Sequence, residues 1–173
     1  IKKSLIREFS KNCHNCNILD LACGRGGDIH KWIQCNINHI LAIDIDFNSI
    51  EEAKKRLSNT DCKNTKIQFL HTDVTSSSIK NNILDYKKNT FNEYFYKHFD
   101  MITMFFAIQY FFNSEEETEN LIKLIENNLK PGGYFIGISP DEHNILTLCN
   151  DKKIYDSDLL KISVIGNKCN FWV

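Results

Sequence analysis

Short apolar runs alternate along the chain with longer segments of mixed polarity. Continuous apolar runs bounded by glycine or polar residues favour strands that are buried on both faces, as in a parallel sheet. The sequence predicts such strands at residues 17–23 (NILDLAC), 39–45 (HILAIDI), 66–73 (KIQFLHTD), 99–106 (FDMITMFF) and 134–139 (YFIGIS).

Between these runs, the spacing of apolar and polar positions predicts helices. One helix covers residues 28–34, and a second begins near Ser49, because Ser49 and Glu52 have the spacing of a capping box. Ser114 and Glu117 repeat that spacing before a longer helix, which the sequence KPGG ends. The apolar face of this longer helix comprises Leu121, Ile122, Leu124, Ile125 and Leu129.

The order of these elements predicts the fold class. Strands that alternate with helices are typical of an α/β protein, so we expect a three-layer αβα sandwich around a mainly parallel, doubly wound, Rossmann-like sheet. Residues 74–98 are polar and predict no defined element. With 173 residues, the chain has the length of a single domain. Ligands of such sheets bind at the carboxyl ends of the strands.

Composition narrows the classes of function. Apolar residues make up 42% of the chain, yet no run approaches the roughly 20 apolar residues of a membrane helix, so we expect no membrane partner. The formal net charge is −1 and no block of Lys or Arg stands out. This balance argues against a protein that grips long nucleic acid through many phosphates. A nucleic-acid partner is therefore expected at a small, specific site.

Seven cysteines raise the question of disulfides or a metal site. Cys13 and Cys16 form a CxxC pair in the sequence CHNC, and no second pair follows at the spacing of a zinc finger. One pair supplies at most half of a tetrahedral site, so a metal would need His14 or distant ligands. We therefore expect no metal, and cysteines that are reduced thiols inside a cell.

The sequence ACGRGGD lies at the first predicted turn from strand to helix. Glycines at such a turn permit positive φ angles and let a ligand approach the backbone. The spacing G-x-G-G departs from the G-x-G-x-x-G of dinucleotide sites, which disfavours a bound pyrophosphate. Asp28 at the start of the helix would also repel phosphate. A nucleoside without phosphate, or one with a positive charge, is the better ligand.

Two acidic residues end the next two predicted strands. Asp44 follows Gly24 by twenty positions, and a carboxylate there can accept hydrogen bonds from both ribose hydroxyls. Asp73 ends the third strand, within reach of an adenine amino group. The alternative is that both side chains only cap turns.

These residues resemble the class I S-adenosylmethionine-dependent methyltransferases and, among them, the mRNA cap guanine-N7 methyltransferases. LDLACGRGGDIHKW is similar to the family's LDLGCGKGGD and the Lys-Trp pair after it, and AIQYFFNSEEE, PGGYFIGISPD and KKSLI are similar to further family segments. The resemblance implies the class I methyltransferase fold in a single domain over residues 1–173. Because the sequence ends at GNKCNFWV, we expect that domain to be incomplete at its C-terminus and to lack the last strands of the family's sheet.

The resemblance also implies a role for individual residues. Lys2 would contact the methionine carboxylate, Arg56 the cap phosphates, and Pro140 the surroundings of the guanine. Phe105 stands where the family has a glutamine, and Gln109 where it has a histidine. Without the resemblance, Arg56 is a solvated helix charge and the aromatic residues are core. The implied cofactor contacts are Lys2, Gly24, Gly26, Asp44, Asp73, Phe105 and Tyr110. The implied cap contacts are Gly27, Asp28, Ile33, Arg56, Gln109 and Pro140.

The implied reaction moves a methyl group from S-adenosylmethionine to guanine N7 of the 5′ cap and leaves S-adenosylhomocysteine. N7 carries a lone pair and no proton, so in-line placement suffices and we assign no catalytic acid or base. Acceptors such as Asp28 favour the positive charge as it moves to the purine ring.

Two alternatives stay open beside this reaction: a methyltransferase acting on another RNA or a small molecule, and a catalytically silent cofactor-binding partner subunit. The implied partners are 5′-capped RNA and other capping enzymes. The implied location is intracellular, in the nucleus for a cellular enzyme or in the cytoplasm for a viral one.

Overall fold

The computed structural model describes residues 1–62, 64–90, 99–149, 154–156, 161–165 and 168–172. The chain divides into two compact units, Ile1–Ile138 and Ser139–Val173. Among the described residues, no helix has the length and apolar character needed to cross a membrane.

A five-stranded sheet forms the centre of the first unit. Its strands lie in the order β3-β2-β1-β4-β5, and all four pairs of neighbours are parallel. The chain thus winds outward from β1 to β3 and then crosses back to β4, which confirms the predicted doubly wound sheet. In the described part of the chain, no further strand joins this sheet. The strands are β1 (Asn17–Leu21), β2 (His39–Asp44), β3 (Lys66–His71), β4 (Phe99–Phe105) and β5 (Leu129–Ile138).

Helices cover both faces of the sheet. Alternate residues of a strand point to opposite faces, and the core accordingly forms two clusters. Ile18 and Ile40 belong to a cluster with residues of α1, α2 and α3, whereas Leu19 and Leu41 belong to a cluster with residues of α4 and α5. The three predicted layers are therefore present. The helices are α1 (Lys2–Ser10), α2 (Ile29–Gln34), α3 (Phe47–Ser58), α4 (Ile79–Thr90) and α5 (Glu115–Asn128).

The start of α3 differs from the prediction. The helix begins at Phe47 and not near Ser49, because Asp46 is the N-cap residue. The Asp46 carboxylate accepts hydrogen bonds from the backbone N–H groups of Asn48, at 3.2 Å, and Ser49, at 3.0 Å. The Ser49 hydroxyl itself donates to Asp46 Oδ2 at 2.6 Å. Ser49 is therefore a partner of the cap and not the cap.

The start of α5 agrees with the prediction, and its end does not. The Ser114 hydroxyl oxygen accepts a hydrogen bond from Glu117 N, at 3.2 Å, which is the first of the two hydrogen bonds of a capping box. The helix ends at Asn128, and β5 begins at Leu129, so that the sequence KPGG lies inside this strand. On the predicted apolar face, Ile122 is 48% exposed, whereas Leu121 and Leu124 are buried.

The second unit contains elements that the sequence did not predict. Helix α6 (Glu142–Cys149) is followed by β6 (Ile154–Asp156), β7 (Lys161–Ile165) and β8 (Lys168–Trp172). These three strands form a separate antiparallel sheet in the order β6-β7-β8.

Candidate functional site

A backbone hydrogen bond fixes the position of the glycine turn between β1 and α2. Cys23 N donates to Ile43 O of β2 at 2.9 Å, which ties the turn to the neighbouring strand. Gly24 and Gly26 have φ angles of +54° and +69°, in the left-handed region that favours glycine. A Cβ atom on Gly26 would lie 2.7 Å from Ile29 Cδ1 and 3.0 Å from Ala53 Cβ of α3. Gly26 therefore allows the turn to pack closely against α3.

Gly24, unlike Gly26, has open space on the side where a side chain would lie. A Cβ atom built on Gly24 would meet no protein atom within 4 Å. Its φ angle of +54° explains the need for glycine, and the open space leaves the backbone accessible to a ligand.

Ala22 precedes these glycines and shares their conformation. Its φ angle is +60°, although an L-residue with a Cβ atom disfavours the left-handed region. In the family motif that this turn resembles, the same position holds glycine. Sequence reasoning did not single out Ala22, and the departure from the motif is the signal that would have found it.

Asp44 at the end of β2 is fixed by two backbone hydrogen bonds. Gly24 N donates to Oδ2 at 2.6 Å, and Asp46 N donates to Oδ1 at 2.9 Å. The residue is only 8% exposed. Each carboxylate oxygen can accept a further hydrogen bond, so the side chain is oriented and still able to bind hydroxyl donors.

A cleft of about 280 Å³ opens beside Asp44 at the carboxyl ends of the strands. Asp73 lies in its wall, and its Oδ1 also accepts hydrogen bonds from the N–H and hydroxyl of Thr75, both at 2.8 Å. Asp73 therefore stabilises a turn and lines the cleft at once. The complete lining is Ala22, Asp44, Ile45, Asp73, Val74, Thr75, Ala107, Tyr110, Phe111 and Glu117.

An ion-pair cluster of Lys2, Asp28 and Lys31, the polar group around Lys2, connects α1 with the glycine turn. Lys2 Nζ lies 2.8 Å from Asp28 Oδ2, and Lys31 Nζ lies 2.8 Å from Asp28 Oδ1. The Lys2 ammonium also lies over the rings of Phe105, at 5.0 Å, and Phe106, at 5.4 Å. Two lysines thus compensate the charge of Asp28, which weakens the repulsion of anions that we expected from its position.

Asp20 lies inside β1 and was missed by sequence reasoning. It is 2% exposed, and the Thr103 hydroxyl of β4 donates a hydrogen bond to its Oδ1. Burial raises the pKa of Asp20 to about 8. An acidic residue within an apolar strand run was the available signal.

The residues expected to contact a cap do not form one group. A Cβ atom on Gly27 would lie 4.0 Å from Arg56 Nη1, so Gly27 and Arg56 are neighbours. Ile33 is buried in the core cluster with α1. Gln109 Nε2 donates to Phe106 O at 2.9 Å, while its buried Oε1 has no hydrogen-bond partner among the described residues.

Pro140 belongs to the second unit. Its role, like those of the other site residues, stays a prediction.

The structure thus brings Asp44, Asp73 and Tyr110 to one cleft, and Lys2, Asp28 and Phe105 to an adjoining polar group that shares the glycine turn. Sequence reasoning missed six further cleft residues. Most of them lie in the segments after β2, β3 and β4, where the rule that ligands bind at strand ends could have found them. The six residues are Ile45, Val74, Thr75, Ala107, Phe111 and Glu117.

Comparison with known sequences identifies relatives. A family model for the mRNA (guanine-N(7))-methyltransferase domain matches residues 1–169. The mRNA cap guanine-N(7) methyltransferase of Schizosaccharomyces pombe is 32% identical over 170 residues, which cover 94% of this chain and 44% of the relative. That of Caenorhabditis elegans is 30% identical over 155 residues, which cover 84% of this chain and 38% of the relative. The chain spans less than half the length of these curated relatives.

Comparison with solved structures concerns the fold. An S-adenosylmethionine-dependent methyltransferase from Clostridium acetobutylicum superposes with a TM-score of 0.62 at 16% identity, over 99% of this chain and 72% of that chain. The glycopeptide N-methyltransferase MtfA, in complex with S-adenosylmethionine, superposes with a TM-score of 0.54 at 17% identity, over 78% of this chain and 48% of that chain. The predicted class I methyltransferase type of fold is thereby confirmed. Because the family model matches nearly the whole sequence, the chain belongs to the mRNA (guanine-N(7))-methyltransferase domain family.

Proposed function

We propose that this chain transfers a methyl group from S-adenosylmethionine to N7 of the guanine in the 5′ cap of mRNA. The observation that carries the proposal is the family match over residues 1–169. The cleft at the carboxyl ends of β1, β2 and β3 supports it, because ligands of doubly wound sheets bind at that edge.

The cleft has the chemistry that the adenosine part of the cofactor requires. Asp44 would accept hydrogen bonds from the ribose hydroxyls, since backbone donors already orient both of its oxygens. Asp73 would accept from the adenine amino group. Val74 and Ala107 line the same cleft and offer apolar surface to a purine ring. Gly24 keeps its backbone accessible, because no protein atom lies within 4 Å of the position that a Cβ atom would take.

The methionine part would lie toward the polar group around Lys2. Lysine carries three donors, so Lys2 can hold Asp28 and still donate to a carboxylate. Gly26 keeps the turn close to α3, while Phe105 and Tyr110 supply the ring surfaces on the β4 side.

When bound, the cofactor would supply a methyl group attached to a sulfonium sulfur. The sulfur is the leaving group and becomes a neutral thioether when the carbon–sulfur bond breaks. Guanine N7 needs no deprotonation, so residues of this chain act by placement. Fixing the two reactants in line contributes about 7–11 kcal/mol to the lowering of the barrier. The Asp28 carboxylate is already paired with Lys2 and Lys31, so it would add little to the stabilisation of the positive charge that develops on the purine.

The cap would approach across the outer side of the glycine turn. Arg56, beside Gly27, is an exposed guanidinium suited to the cap phosphates. The buried, unpartnered Oε1 of Gln109 is an acceptor for a guanine N–H donor. Asp28 is a further proposed cap contact within the first unit, whereas Ile33 is buried in the core there.

A labelled-methyl assay tests the proposal. The chain is incubated with methyl-labelled S-adenosylmethionine and RNA bearing a GpppG cap, uncapped RNA, or free GpppG, and the methylated atom is identified by mass spectrometry of the digested product. We expect label on N7 of the cap guanine alone. Label on another RNA atom, or cofactor binding without turnover, would contradict the proposal.

The same proposal implies particular partners and a location. Other capping enzymes would supply the GpppN end, and a cellular enzyme of this kind would act in the nucleus. Imaging of a fluorescent fusion in cells of the source organism would test the location, and exclusion from the nucleus would contradict it.

A further inference from the structure

Three potential metal ligands meet at the turn between α1 and β1. Cys13 and Cys16 belong to this turn, and Asp100 is the second residue of β4. Their ligand atoms, two Sγ and one carboxylate oxygen, all lie within 4.8 Å of one another. Elsewhere in the described ranges, no other group of three His, Cys, Asp or Glu side chains converges in this way.

This cluster is distinct from the cleft. Asn17, which follows Cys16 directly, is the first residue of β1, and Asp100 lies near the first residue of β4. The cluster therefore lies at the amino ends of parallel strands, whereas the cleft lies at their carboxyl ends. The proposed methyl transfer uses none of its residues.

The Asp100 carboxylate is held in place from two sides. Asn17 N donates to Oδ2 at 2.8 Å, and the Lys130 ammonium at the start of β5 pairs with Oδ1. A carboxylate has about four lone-pair sites, so both contacts leave acceptor capacity for a cation. The lysine also offsets part of the negative charge that two thiolates and a carboxylate would bring together.

We propose that Cys13, Cys16 and Asp100 bind a divalent cation of the Zn²⁺ class. Thiolate ligands select zinc over the hard cations Mg²⁺ and Ca²⁺. In a tetrahedral zinc site with bonds of about 2.3 Å to sulfur and 2.0 Å to oxygen, the ligand atoms lie about 3.5–3.8 Å apart. Side-chain movements on the order of 1 Å would therefore close the observed triangle around an ion. Water would fill the fourth position.

The sequence alone did not predict this site because the CxxC pair supplies only two ligands. The third ligand comes from a strand more than eighty positions away, and only the pairing of β1 with β4 brings it near. A bound ion would connect the α1–β1 turn to β4 and, through Lys130, to β5. The ion would take no part in the proposed methyl transfer, since it lies at the opposite edge of the sheet from the cleft.

Cobalt titration of the full, reduced chain tests the proposal. Co²⁺ bound to thiolates gives charge-transfer absorption in the near ultraviolet, which Zn²⁺ then abolishes by displacement. We expect one equivalent of Co²⁺, a loss of the band in the Cys13→Ser and Cys16→Ser variants, and an affinity lower by more than about 10-fold in Asp100→Asn. Cys35→Ser, which changes another half-buried thiol, is the matched control and should retain the band.

Far-ultraviolet circular dichroism establishes that each variant is folded, and native mass spectrometry of the parent chain with Zn²⁺ gives an independent readout. One bound zinc per chain supports the site. Absence of the band in the parent, equal Co²⁺ affinity in Asp100→Asn, or loss of the band in Cys35→Ser would overturn it. A Cys13–Cys16 disulfide with no metal, in protein alkylated during lysis, would also overturn it.

Discussion

The cleft depends on single residues in an uncommon backbone conformation. Ala22, Gly24 and Gly26 all have positive φ angles within one turn. Glycine tolerates this conformation, whereas an L-residue loses about 1–2 kcal/mol in it. Ala22 therefore carries strain that a glycine would relieve, at a position that lines the cleft.

We expect the Ala22→Gly variant to be more stable than the parent by about 1 kcal/mol, because glycine removes the left-handed strain. Urea unfolding followed by circular dichroism measures the change in the free energy of unfolding. The control is Ala107→Gly, in the same cleft but at a φ angle of −131°, which should destabilise the chain. A destabilised Ala22→Gly variant would contradict the strain argument.

Asp44 carries the proposed ribose contact. In Asp44→Ala, loss of two hydrogen bonds to a charged acceptor should lower the affinity for S-adenosylhomocysteine by at least about 100-fold. Isothermal titration calorimetry measures this affinity, and a melting curve separates it from unfolding. Asp85→Ala, an exposed carboxylate on α4, is the control and should bind like the parent. If Asp44→Ala also binds like the parent, the proposed cofactor site is wrong.

At the scale of elements, the apolar runs of the sequence predicted the five parallel strands, but local signals misplaced two boundaries. Ser49 and Glu52 have capping-box spacing, yet Asp46 caps α3. Gly133 resembles a turn residue, yet a Cβ atom there would lie 2.8 Å from Asp100 O of the neighbouring strand. This glycine serves the packing of β5 against β4, which depends on a contact between distant residues.

Helix α4 lies in the polar segment for which no element was predicted, although its sequence contains apolar residues at helical spacing. Ile79, Ile83 and Tyr86 are buried at helical spacing within a segment that is otherwise polar. Among the residues that line the cleft, Asp44 and Asp73 could be predicted from the sequence, because each ends a predicted strand. Asp20 is marked in the sequence as an acidic residue within an apolar run, but its partner Thr103 follows only from the pairing of β1 with β4.

The packing of the glycine turn on α3 predicts different outcomes for two similar substitutions. Gly26→Ala combines an unfavourable φ angle with a Cβ atom only 3.0 Å from Ala53 Cβ of α3 and 2.7 Å from Ile29 Cδ1, whereas Gly24→Ala has only the unfavourable φ angle. We expect Gly26→Ala to lower the free energy of unfolding by at least about 1 kcal/mol more than Gly24→Ala does. Chemical denaturation of both variants measures the difference, and equal losses would contradict it.

At the scale of the whole molecule, a buried acidic residue couples stability to pH. Asp20 lies in the middle of the sheet, and burial is the main cause of its raised pKa. Nearby Asp28 and Asp44 raise that pKa further, while Thr103 and Lys2 lower it. The charge on this one side chain therefore affects the folding equilibrium of the entire first unit.

Asp20→Asn should remove a dependence of stability on pH. In the unfolded chain Asp20 loses its proton near its ordinary pKa of 3.8, whereas in the folded chain it does so near 8. Between these values unfolding releases a proton, so the stability of the parent falls as pH rises, by at most about 1.4 kcal/mol per pH unit from this group. Asparagine keeps an acceptor for the Thr103 hydroxyl but does not ionise. In urea unfolding at pH 5, 6, 7 and 8, the free energy of unfolding of Asp20→Asn should therefore exceed that of the parent by an amount that grows with pH. Asp85→Asn is the control, and its free energy of unfolding should change with pH as that of the parent does. Parallel curves for Asp20→Asn and the parent would show that Asp20 is ionised in the folded chain.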